Sequence, residues 1–408
     1  MKKLVLALLL ILSLLMEGCW SRREIEDMAM VTGMGIDTVK VAGKEKFLIT
    51  FQIIRGTGGP GGMGGGVGGG GVGPGTMVTQ AFWVTSSIGD NLADAVVNLS
   101  TRSPRKVDLA HMEVVVLGRK VAEEKVPEVV DFLQRERTIR LRTWVVVAEG
   151  EARDVVTSQP ELERSLFKGI NSLIFNRKDV SKTEVVDLKD FLIALADPGR
   201  EPVTGVIRVF RPPEIKKMAS QAATGQAAKV VRLHGGAVFA RGRLVDFWDD
   251  RTTRGYLWTQ SKAERGIITL SLPGFSRPVA LKIRGSLARI RPEIKNGELK
   301  IKIRVRVQGD INDNQNPGAK IADIRVIKGL EKEYARAVKD EIAAALRRAQ
   351  EKKSDVFGFG EAVHRHLPAV WRQVEKDWPE VFAELPVEIE VKAAIKHAGL
   401  ADNTIKIK

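Results

Sequence analysis

Between residues 299 and 308 the chain alternates without a break. Ile301, Ile303, Val305 and Val307 fall on one side, and Lys300, Lys302, Arg304 and Arg306 on the other. A period of two is that of a strand with one buried face. The Asn296–Gly297 pair just before it suits a two-residue turn, so 278–308 is predicted as a β-hairpin. Lys282 and Arg284 carry the basic bias onto its first strand. The period then lengthens to four. Leu330, Tyr334, Val338, Ile342 and Leu346 step along the apolar stripe of one long amphipathic helix. Further helical material follows, with Trp371 and Trp378 seven apart and hence nearly on one face. The last strand places Val387, Ile389, Val391 and Ile395 inward. These elements predict a C-terminal α+β unit, 276–408, with helices over one side of a mostly antiparallel sheet.

The first half alternates strand and helix. "KFLITFQII" (46–54), "HMEVVVLG" (111–118) and "LRTWVVVAEG" (141–150) read as strands. Leu92, Val96 and Leu99 have helical spacing, with Ser87 or Asp90 as N-cap, and Pro127 opens a later helix. An α/β domain over 19–150 is expected. From 151 to about 200 the pattern is helical: Leu162, Leu166 and Ile170 share one face, and Val185, Leu188, Leu192 and Leu195 another. "VTGVIRVF" is strand-like, 211–229 is polar and small, and two strands then meet at a tight turn over Arg241–Arg243. A middle domain, 151–275, follows from this. The fold class expected is mixed α/β (α+β), in three domains, each a sheet with helices packed on it.

Residues 55–76 are dominated by glycine. A G-x-G-x-x-G match inside them is trivial. A phosphate-cradling loop needs a helix opening directly after it, whereas another β-like stretch follows here, so the segment reads as a linker between two strands.

The N-terminus changes the picture more. Two lysines precede an apolar run from Leu4 to Met16, too short for the roughly 20 residues of a membrane-crossing helix but suited to a signal peptide, 1–18. Gly18 closes the run, and Cys19, the one cysteine of the 408 residues, follows at once. That position resembles the lipobox of bacterial lipoproteins, in which the thiol carries a diacylglyceryl (palmitate-type) group and the leader is removed. Met16 and Glu17 depart from the usual motif. Two or more acyl chains anchor stably where one does not. A single thiol allows no intrachain disulfide, so the core alone must hold the exported chain. The formal charge of +15 suits a polyanion. Export disfavours nucleic acid and leaves an anionic membrane surface or an acidic protein.

Candidate chemistry is sparse. His364 and His366 are the closest pair of the five histidines, yet two apart on a helix they diverge by roughly 200° and clamp no common metal. His111 starts a strand, where a structural role outweighs a catalytic one. H-E-x-x-H, G-x-S-x-G and Walker patterns are lacking. The chain is expected to be no enzyme, with no catalytic residue, cofactor or metal.

Four ordered stretches carry a resemblance. "GCWSRREIEDMAMVTGMGID", the segment from Ser103 to Gly150, "GRLVDFWDDRTTRGYLWT" and "SDVFGFGEAVHRHLPAVWRQVEKDW" look like the Ger(x)C family of spore germination lipoproteins, C subunits of nutrient germinant receptors. The glycine tract departs from the family as a loop insertion. The resemblance implies a three-domain lipoprotein acylated at Cys19, on the outer face of the spore's inner membrane. It would act by protein contact with integral-membrane A and B type subunits when nutrients trigger germination. A solute-binding lipoprotein capturing a small nutrient is the alternative, and an envelope hydrolase a third reading. Which subunit meets the nutrient stays open.

Overall fold

The computed structural model describes residues 27–55, 81–160, 162–210, 229–316 and 323–397. The leader, Cys19 and all but the first residue of the glycine tract lie outside them, as do 211–228. In chain order the elements are β1 (Met28–Val41), β2 (Lys44–Ile54), β3 (Phe82–Gly89), α1 (Leu92–Ser100), β4 (Lys106–Asp108) and β5 (Val114–Leu117). Then come α2 (Arg119–Glu124), α3 (Val126–Arg135), β6 (Trp144–Ala148), α4 (Ala152–Val156), α5 (Leu166–Phe175), β7 (Val186–Asp187) and α6 (Leu188–Ala196). Next are β8 (Val203–Phe210), β9 (Val230–Ala240), β10 (Arg243–Trp248), α7 (Asp250–Thr259) and β11 (Ile267–Leu270). The chain closes with β12 (Val279–Lys295), β13 (Glu298–Asn314), α8 (Ile324–Glu351), α9 (Phe359–His366), α10 (Pro368–Val374), α11 (Trp378–Glu384) and β14 (Val387–Ile395).

Two sheets organise the described residues. The larger has the order β10-β9-β8-β6-β5-β1-β2-β3, with β4 on β1 and β7 on β6. Its central strands β1, β5, β6 and β8 run parallel. Parallel strands are covered on both faces, which explains the unbroken valine runs of β5 and β6. Val115, Leu117, Val145 and Val147 point to the side of α1, α2, α3 and α6. Val114, Val116, Val146 and Ala148 point to α4 and α5. At Gly33 a Cβ would lie 2.4 Å from the ring of Phe167, so glycine there lets α5 rest on β1.

The smaller sheet has the order β11-β12-β13-β14. Asn296 and Gly297 both have positive φ, 55° and 82°, as the tight hairpin between β12 and β13 requires. The inward residues Ile301, Ile303, Val305 and Val307 meet Leu330, Tyr334, Val338, Ile342 and Leu346 of α8, all of them buried. Each such side chain contributes about 1.5–3 kcal/mol through removal from water.

Several expectations shift. The C-terminal sheet is mostly antiparallel as expected, β11 to β13 pairing so, while β14 joins β13 in parallel because α8 to α11 form the crossover between them. On either side of residue 150, β6 pairs with β8, and on either side of 275, β11 pairs with β12. Periodicity marks a strand but not its partner. The N-cap of α1 is Asn91, whose side chain accepts from Asp94 N, rather than Ser87 or Asp90. Leu162 is 99% exposed and precedes α5, while Leu166 and Ile170 are buried in it. Val185 is buried ahead of α6, where β7 intervenes.

Candidate functional site

The alternation of β13 turns its cations away from the core, and the register assembles them with their neighbours. Arg291 stands opposite Lys302, Arg289 opposite Arg304, and Leu287 opposite Arg306. On the other side of β13, Glu388 lies beside Lys302 and Glu390 beside Arg304. Lys302 Nζ reaches Glu388 at 2.8 Å and Glu390 at 2.6 Å, and Arg304 Nε reaches Glu390 at 3.1 Å. These hydrogen bonds raise the Lys302 ammonium above its usual value and hold Glu390 below its own. The open face therefore grades from acidic on β14 to basic on β12. A cavity of about 260 Å³ lies over its basic part, with Glu293 in its lining. Arg284 does not extend this field, because its guanidinium bonds to Asp310.

The second assembly is a polar junction between the sheets. Glu341 projects from the buried stripe of α8, 2% exposed, and binds Arg254 through both oxygens, at 2.9 and 2.5 Å. Trp258 Nε1 donates to the same carboxylate at 2.9 Å. Arg348 forks onto Asp246 at 3.0 and 2.7 Å and donates to Phe247 O at 2.9 Å. Asp355 accepts from Phe359 N at 3.1 Å, Gly360 N at 2.8 Å and Trp378 Nε1 at 3.0 Å. Burial outweighs these three donors and lifts its carboxyl to about 6. Beside it, Glu201 N donates to Asp355 O at 2.9 Å, and the Glu201 side chain accepts from Arg241 N at 2.9 Å. Burial, the largest influence, lifts Glu201 to about 7. A third carboxylate, Asp37 within β1, accepts from Ala152 N and Arg153 N at 2.9 and 2.8 Å and is lifted by burial to about 6.

The two C-terminal sequence signatures meet at this junction. Trp248 and Tyr256 of one pack edge-on at 6.4 Å, and Tyr256 lies 6.0 Å from Phe357 of the other. Phe357 stacks on Phe359 at 5.2 Å, and Trp371 meets Trp378 edge-on at 5.2 Å. Their aromatic residues thus form a core. His364 stacks on Trp371 at 5.7 Å, and His366 is exposed on the same short helix. His111 is half-exposed, 3.4 Å from Asp108. Sequence reasoning missed the buried carboxylates. Glu341 left a trace, since it falls between Val338 and Ile342 within an apolar stripe; Asp37 and Asp355 left none.

Two adjacent family models cover this architecture. "Spore germination protein N-terminal domain" matches residues 21–209, and "Spore germination B3/ GerAC like, C-terminal" matches 234–399. The chain belongs to the Ger(x)C family. Among Ger(x)C relatives, spore germination protein KC of Bacillus subtilis (strain 168) is 27% identical over 412 residues, spanning 99% of this chain and 98% of that protein. Spore germination protein YndF of the same organism is 25% identical and spans 95% of each. The crystal structure of the GerBC protein superposes with a TM-score of 0.51 at 17% identity, covering 89% of this chain and 97% of that one. It supports the Ger(x)C fold. Among the described residues no helix is long and apolar enough to cross a membrane.

Proposed function

We propose that this chain is the membrane-anchored C subunit of a spore germinant receptor. In this reading it works by contact with integral-membrane A and B type subunits on the outer face of the spore's inner membrane, when nutrients trigger germination. The observation that carries the reading is the correspondence with spore germination protein KC over 99% of this chain and 98% of that protein, with both family models in order along it. Cys19, placed at the exit of the leader, supplies the anchor as a diacylglyceryl thioether. The aromatic residues of the C-terminal signatures pack on one another, which favours a contact role over a reaction or a nutrient cleft.

Mass spectrometry of the mature N-terminus tests the anchor directly. An acylated N-terminal Cys19 is expected; recovery of the intact leader with a free thiol overturns it. The Cys19→Ala variant is expected to leave the membrane fraction and to impair nutrient-triggered germination. Normal retention together with normal germination would count against the whole reading.

A further inference from the structure

The basic residues of the C-terminal sheet face form an arrangement that folding alone does not favour. Arg289 faces Arg304 and Arg291 faces Lys302 across one antiparallel ladder. Like charges directly opposite one another are destabilising. β14 offsets only part of this: Glu388 and Glu390 hold Lys302 and Arg304, two of the cations of β13. The excess remains on β12, where Arg289 and Arg291 are exposed, and at the level of Leu287, where Arg306 and Lys392 are neighbours in register. Leu287 stands among these cations, 52% exposed.

We propose that this face docks on an anionic phospholipid surface, with Arg289, Arg291 and Arg306 binding headgroup phosphates and Leu287 entering the boundary between headgroups and chains. Guanidinium groups pair with phosphate oxygens through two parallel N–H bonds, so neighbouring arginines on a pleated face can each take a phosphate. Between these cations lies the cavity of about 260 Å³, with room for a headgroup phosphate. An acidic strand could not simply extend the sheet beyond β12. Pro292 has no N–H to offer, and the Ala288 N–H already donates to Ser261 Oγ at 2.8 Å. The inference rests on the anchored reading, since a tether at Cys19 holds the body near lipid. It adds a second contact, which would fix the orientation of that body.

The test uses the full chain carrying Cys19→Ser, so that no acyl group contributes, and vesicles of phosphatidylcholine with or without phosphatidylglycerol. Binding is expected only where phosphatidylglycerol is present, and it should weaken steeply with added salt. The Arg289→Gln/Arg291→Gln variant should lose about 30-fold in affinity, from two cations each worth about 1 kcal/mol near such a surface. The Arg137→Gln/Arg140→Gln variant, which removes the same charge from an exposed loop beyond α3, should bind as the parent does. Equal losses in both variants would assign binding to net charge and overturn the proposal. So would an Arg289/Arg291 variant that binds like the parent while circular dichroism shows it folded. Inorganic phosphate that displaces the vesicles at millimolar concentration would make the free ion the ligand. Polyglutamate that binds the parent but not the variant, with vesicles ignored, would make an acidic protein the partner. Because acylation plays no part, failure here leaves the Cys19 reading standing, and an unmodified Cys19 in the native protein leaves a positive vesicle result standing.

Discussion

Gly199, in the loop between α6 and β8, lies so near Gly360 of α9 that a Cβ added to Gly360 would stand 2.5 Å from the Gly199 Cα. The same Cβ would meet Trp378 Nε1 at 2.7 Å. Glu361 N donates to Gly199 O at 3.2 Å across this contact. The two backbones touch where the larger sheet meets the helices that follow α8.

Gly360→Ala therefore has an expected sign opposite to that of most helical glycines. Such a change normally stabilises by about 0.5–1 kcal/mol. Here the backbone opposite cannot yield without parting the junction, and a loss of about 1–3 kcal/mol is expected in urea unfolding. Unchanged or increased stability would show that the contact adjusts freely.

Glu341→Ala strands Arg254, whose side chain is 12% exposed, and leaves Trp258 Nε1 without its acceptor. A loss of about 3–5 kcal/mol is expected. The paired Arg254→Met/Glu341→Met variant removes both charges together and should cost clearly less. Equal losses from the two variants in chemical denaturation would mean that packing, not an uncompensated charge, decides the site.

The pH dependence follows from Glu201. Its ordinary value is 4.5, and the folded protein holds it at about 7. Between those values the folded state binds the proton more tightly than the unfolded chain, so this group's contribution to stability falls as pH rises from about 4.5 to about 7 and is level outside that window. Glu201→Gln keeps an acceptor for Arg241 N and removes the titration. Unfolding free energies measured across the window should decline less steeply in the variant. Superimposable slopes would contradict the assignment. Asp37 and Asp355, both raised to about 6, act in the same direction over the lower part of the window and persist in the variant.

The glycine tract joins strands that already close on each other. Ile54 pairs with Phe82, and Arg55 N donates to Ala81 O at 3.0 Å. Replacing 58–76 with a short Asn-Gly turn should leave the melting temperature equal or higher, because a shorter connection costs less closure entropy. A marked drop in melting temperature would reveal that the tract supports the fold.

What the sequence made legible is what local periodicity encodes. The hairpin turn at Asn296–Gly297, the α8 stripe from Leu330 to Leu346 and the outward cations of β13 all follow from neighbours within a few residues. What stayed hidden depends on partners far along the chain. The parallel pairing of β6 with β8, which carries the larger sheet past residue 150, is set by helices on both faces. The acidic column of β14 acquires meaning only beside Lys302 and Arg304. The carboxylates at Asp37 and Asp355 look like any surface charge until distant donors converge on them.

β1 sits inside the larger sheet, with β2 on one flank and β4 and β5 on the other. A pull acting along that strand would be carried by the ladders on both flanks in shear, many bonds at once. Detaching β1 would thus break many hydrogen bonds together rather than one at a time.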